Sequence, residues 1–101
     1  MRQARYKLRV PDNVAALVRN MHPQLKKKIK ASLQIILADP NAGKALKDEL
    51  AGLRSFRASR FRIIYRVSSK AQIEIIAIGP REHIYEETFR ILKKKEKGAV
   101  R

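Results

Sequence analysis

Three apolar stretches crowd the second half of the chain, and their spacing leaves few ways to fold. Residues 53–58, 61–67 and 72–78 each carry the alternating or β-branched pattern of a strand. Only Ser59 and Arg60 separate the first two, and only residues 68–71 the second pair. Gaps this short cannot hold a parallel crossover, which needs about a dozen residues or more. The three segments predict an antiparallel meander.

Helical spacing dominates what precedes it. Residues 6–10 predict a strand, with Tyr6, Leu8 and Val10 alternating against Lys7 and Arg9. Pro11 ends it, and Asp12 is placed to cap a helix, because its carboxylate can accept N–H bonds from the first turn. Val14, Leu17, Val18 and Met21 then recur on one helical face. His22-Pro23 breaks this helix, and Pro23 can open the next at its first position. That second helix carries Leu25, Ile29, Leu33, Ile36 and Leu37 as an apolar stripe, with Lys26, Lys27, Lys28 and Lys30 crowding its first half. Asp39-Pro40-Asn41-Ala42-Gly43 is a dense turn signal, followed by a connector over 44–52. Gly79-Pro80 ends the last strand. Residues 82–95 predict a final helix with Ile84, Thr88, Ile91 and Leu92 on one side, acids early and lysines late, as the helix dipole favours. The order β-α-α-β-β-β-α predicts an α+β fold in one domain over residues 1–101. A small antiparallel sheet carries the N-terminal helical hairpin on one face, a C-terminal helix completes the fold, and part of the second face stays open.

Charge narrows the function classes. The chain has 24 Lys and Arg against 9 Asp and Glu, a formal net charge of +15, while 45% hydrophobic residues suit a folded core rather than a disordered tail. So large an excess on so small a body attracts polyanions. No apolar run approaches the ~20 residues of a membrane span, so no membrane partner is expected. No cysteine is present, which excludes a disulfide framework, a thiolate nucleophile and Cys-ligated zinc, and two histidines are too few for a histidine-rich metal site. The expected address is the cytoplasm, with no metal and no cofactor.

Two clusters carry candidate chemistry. From Leu50 to Ile73 there is no acid, yet the window holds Arg54, Arg57, Arg60, Arg62, Arg66 and Lys70. Strand alternation places Phe61, Ile63, Tyr65 and Val67 on one face, expected to be core, and Arg62, Ile64 and Arg66 on the other. Guanidinium forks on a sheet face match phosphate oxygens in pairs, as lysine point charges do not. The plainer alternative is a solvated face of surface ion pairs. The second cluster, Gly79-Pro80-Arg81-Glu82-His83-Ile84-Tyr85, stands where a strand runs into a helix. There Arg81 can hold a phosphate or pair with Glu82 or Glu86, and His83 can exchange protons near neutral pH. Tyr85 can stack on a base or fill the core with Phe89 and Leu92. Scarce acids argue against two-metal phosphoryl chemistry. RNA brings its own nucleophile, the 2′-hydroxyl. A metal-free site then needs only to align it, stabilise added negative charge and move protons.

Leu46-Lys47-Asp48-Glu49-Leu50-Ala51-Gly52-Leu53-Arg54-Ser55-Phe56-Arg57, Arg60-Phe61-Arg62-Ile63-Ile64-Tyr65-Arg66-Val67 and Ile75-Ile76-Ala77-Ile78-Gly79-Pro80-Arg81-Glu82-His83-Ile84-Tyr85 together resemble the RelE/ParE toxin superfamily, nearer its RelE branch. The resemblance implies a toxin of a type II toxin–antitoxin system. Such a toxin enters the ribosomal A site, cuts mRNA to a 2′,3′-cyclic phosphate and a 5′-hydroxyl, and so inhibits translation. It implies ribosomal RNA and mRNA as partners, and an antitoxin whose acidic segment wraps the toxin. From the charge and the final helix, such an acidic amphipathic segment is expected to bind the basic groove or compete for the place of residues 82–95. Arg62 stands where the family stabilises phosphate and transition state, Arg81 where it assists the leaving group, and Tyr85 where it stacks on or orients substrate. Arg57 stands at a basic position of the preceding strand; Arg54, Arg60 and Arg66 join it as expected RNA-binding residues. Arg54-Ser55-Phe56-Arg57 departs from the RelE branch, which often has lysines here, one of them proposed as the base. Arginine, with a pKa above ~12, is a poor base, and His83 is the expected substitute. Pro80 also stands where a basic residue or histidine is common. Two other readings stay open: a ParE-like inhibitor of DNA gyrase, and an inert relative that only binds antitoxin.

Overall fold

The structure, a computed structural model, describes residues 6–68 and 71–100, with residues 94–100 described by backbone alone. Strand β1 (Lys7–Arg9) leads into α1 (Asp12–Arg19) and α2 (Pro23–Ala38). A two-residue strand β2 (Lys44–Ala45) and a 3-10 turn (Asp48–Leu50) occupy the stretch expected to be plain connector. Then come β3 (Arg54–Ala58), β4 (Phe61–Ser68), β5 (Gln72–Pro80) and α3 (Arg81–Val100).

The five strands form one sheet in the order β1-β5-β4-β3-β2. β3, β4 and β5 pair antiparallel, as their short gaps require. β1 lies parallel to β5, so the sheet is mixed rather than wholly antiparallel. The long return through both helices and the meander frees β1 from the constraint that a tight turn imposes, and local spacing carries no sign of its direction.

Each face of the sheet buries its own cluster. On one side α1 and α2 bring Val14, Ile29 and Ile36 onto Ala58, Ile63, Tyr65, Ile73, Ile75 and Ile78. On the other, Ile84 of α3 joins Leu53, Ile64, Ile76 and Ala77. The α+β class and the face taken by the helical hairpin are as expected, but α3 packs over Ile64, Ile76 and Ala77 on the second face, part of which was expected to stay open. A bulge in β5 makes the double packing work. Ile64 pairs with Ala77 and Tyr65 with Ile75, so Ile76 is one residue too many. The extra residue lets Ile75 and Ile78 share one core while Ile76 and Ala77 both turn to the other. Val67, expected in the core by alternation, is 41% exposed near the end of β4.

Local details also depart from residue-type rules. Pro11, with φ −60° and ψ 154°, takes the flanking position of α1, so Asp12 becomes the first helical residue and makes no cap bond. Its charge still favours the helix dipole. At α2 the cap is His22, whose Nδ1 accepts the Gln24 N–H at 3.2 Å. Tyr65, fully buried, ties the turn before β2 to the core: its hydroxyl donates to the Pro40 carbonyl (2.7 Å) and accepts the Gly43 N–H (2.9 Å). A Cβ on residue 43 would stand 2.7 Å from that hydroxyl, so only glycine permits the approach. Burial pushes the Tyr65 phenol pKa up, against the opposing pull of the Gly43 N–H and the Arg54 guanidinium.

Candidate nucleic-acid cleft

Pairing register brings the first two arginines together. Arg57 on β3 lies directly opposite Arg62 on β4, and Arg62 lies opposite Gly79 on β5. By alternation this row shares the α3 face with Ser55 and Ile64. Like charges directly opposed across a sheet destabilise it, and among the described residues no carboxylate bridges either arginine. Glycine ends the row because α3 starts immediately beyond: a Cβ on Gly79 would sit 3.0 Å from Ile84 Cδ1.

The β3–β4 turn and the start of α3 close the site. Ser59 and Arg60 form a two-residue turn, with Ser59 in the left-handed region at φ 61°. The Arg81 N–H donates to the Arg60 carbonyl (3.4 Å), and Arg57 Nε donates to the Ser59 carbonyl (3.4 Å). The result is an open cleft of about 460 Å³ lined by Arg57, Ser59, Arg60, Phe61, Arg62, Pro80, Arg81 and Glu82. Four arginines thus face one carboxylate. Arg62 is half-buried along the sheet, whereas Arg57, Arg60 and Arg81 are exposed. Such a cleft can hold a phosphate between forks held by β3, β4 and the first turn of α3.

The other expected residues lie elsewhere. Tyr85, half-buried against the second core, holds its hydroxyl 3.2 Å from Ser55 Oγ and does not line the cleft. His83 is exposed on α3, about 200° around the helix from Arg81 at ~100° per residue, and is also outside the lining. Arg54 Nη1 donates to the Gly43 carbonyl and braces the β2 turn. Arg66 sits toward the opposite end of β4, its Nε 2.9 Å from Glu74 Oε1. That acid is eight residues away in sequence but directly opposite in the sheet, where an acid-free window hid it. Lys70 lies outside the described residues. Glu82, read from sequence only as an ion-pair partner of Arg81, is the one acid of the cleft lining. Its place at a strand-to-helix junction was the available signal. Among the described residues no group of three or more His, Cys, Asp or Glu is placed to hold a metal.

The profile of the ParE toxin of type II toxin–antitoxin systems, parDE, matches residues 4–85. The chain belongs to the RelE/ParE toxin superfamily. Its fold is shared with solved toxins of low sequence identity. The RelBE2 toxin–antitoxin complex of Mycobacterium tuberculosis contains a chain 22% identical, with a TM-score of 0.67 over 77% of this toxin and 100% of that chain. A free-state RelE variant from E. coli is 20% identical with a TM-score of 0.70, covering 91% of this toxin and 98% of that chain. The YoeB–YefM complex of Staphylococcus aureus is 22% identical with a TM-score of 0.59, covering 74% and 95%. No curated protein sequence matches significantly. Among the described residues, no helix of this toxin is long and apolar enough to cross a membrane.

Proposed function

We propose that this toxin is a metal-independent endoribonuclease that cuts mRNA on the ribosome. The convergence of Arg57, Arg62 and Arg81 in one open cleft carries the reading. In this mechanism the 2′-hydroxyl attacks the adjacent phosphorus and the bond to the 5′-oxygen breaks. The arginines stabilise the charge gathering on the phosphoryl oxygens, where fixed donors contribute most. The 2′-hydroxyl proton passes to Glu82, the one carboxylate in the lining, and the 5′-oxygen takes its proton from solvent at the open mouth. Tyr85 and His83, the other expected catalytic residues, serve this reaction only if substrate or ribosome brings them to the cleft. Primer extension on programmed ribosomes tests the proposal. Codon-positioned cuts are expected from the unaltered toxin, and their persistence in an R62A/R81A variant would refute the mechanism.

A second reading is favoured by the profile match itself, which is named for ParE: a gyrase-directed toxin for which the cleft is dispensable. Expression that breaks DNA while translation continues selects that reading. Under either, the partner is a cognate acidic antitoxin. The solved RelB and YefM complexes of related folds support this, as does a net charge of +15 that an acidic chain would neutralise.

A further inference from the structure

A second groove lies on the far side of the β3–β4 turn from the arginine cleft. It is about 450 Å³ and is lined by His22, Gln24, Leu25, Lys28, Ser59 and Arg60. Ser59 and Arg60 line both spaces, so the turn is a thin partition with a cleft on each side. None of the six lining residues is acidic, and among the described residues neither Lys28 nor Arg60 has an ion-pair partner. On α2, Lys28 follows Leu25 by three residues and Gln24 by four, so its side chain neighbours both. The Gln24 N–H is already taken by His22 Nδ1, so the groove offers side-chain charge and an imidazole plane rather than a bare helix end.

We propose that this groove is a second binding subsite for the substrate strand, taking a phosphate and base that flank the scissile position. The proposal rests on the nucleolytic reading of the arginine cleft. An RNA strand leaving that cleft across the turn meets Arg60 on the ridge, then Lys28 as a point charge for the next phosphates. The exposed His22 ring, which lines the groove with Leu25, is a platform on which an unpaired base can stack. A continuous run of positive groups shared between adjoining clefts suits a polymer with regularly spaced charges better than a single small anion.

Uncleavable 2′-O-methyl oligouridylates test the groove. A dinucleotide has one internal phosphate and fills only the arginine cleft; an octanucleotide reaches across the turn. Two variants are used: K28A at an exposed site, and H22N, which keeps a side-chain acceptor for the helix cap. The double variant is expected to weaken octanucleotide binding by roughly three- to tenfold, to lower the salt slope by about one, and to leave dinucleotide binding within about twofold. R62A is expected to weaken both ligands. If octanucleotide affinity ignores Lys28 and His22 while R62A still weakens the dinucleotide, the groove is overturned and the cleft stands. If the unaltered toxin binds neither oligonucleotide, both readings fall. If polyglutamate binding depends on Lys28 while RNA binding does not, the groove serves an acidic protein and the proposal is wrong.

Discussion

Tyr65 shows how one side chain links folding to the shape of a distant turn. Its hydroxyl satisfies two backbone groups, the half-buried Pro40 carbonyl and the buried Gly43 N–H. Replacing it with phenylalanine keeps the ring and orphans both groups, a loss expected near 1–3 kcal/mol by urea denaturation. Gly43→Ala should cost a similar ~1–3 kcal/mol by overpacking against the same hydroxyl. Because burial raises the phenol pKa above its ordinary value near 10, the folded state favours the neutral form. This contribution is complete below the unfolded pKa and is lost as pH rises through the folded one. Stability of the unaltered toxin should therefore fall more steeply above pH ~10 than that of Y65F. Parallel slopes in the two proteins would contradict the assignment.

The strands set which arginines work together. Arg57 and Arg62 oppose each other and, among the described residues, no acid bridges them, so the β3–β4 pair bears a repulsion that a bound anion would relieve. R57A is expected to raise thermal stability in the free toxin, by up to about 1 kcal/mol, while reducing RNA binding. Arg66 makes the contrasting case. Its ion pair with Glu74 is 42% exposed on the arginine side, so R66A should change stability by less than about 1 kcal/mol and leave any cleavage intact. Measuring melting temperature and cleavage together for R57A and R66A separates a functional arginine from a structural one.

Over the whole molecule, a net charge of +15 acts as a long-range field as well as a set of contacts. Affinity for RNA should fall steeply and linearly on a log–log scale with salt, with a slope close to the number of phosphates engaged. An acidic antitoxin should raise the melting temperature most at low ionic strength, since a ligand of the folded state stabilises it and an acidic one also relieves its self-repulsion. Thermal scans at two salt concentrations with and without the partner give both comparisons.

The sequence by itself determined the meander, because gaps of two and four residues admit no other connection, and the helical hairpin, because apolar spacing and Pro23 leave little choice. It also determined the net charge of +15, which is a sum over residues and needs no coordinates. Only the tertiary structure decided the direction of β1, the bulge at Ile76, and which arginines meet. Arg62 and Arg66 read identically along β4, but pairing gives one Glu74 and the other Arg57. Likewise Glu82 entered the cleft and His83 did not, because one helical step rotates neighbouring side chains by ~100°. Periodicity is a local property and survives in sequence. Register and edge docking depend on partners far along the chain, and these appear only once the sheet has closed.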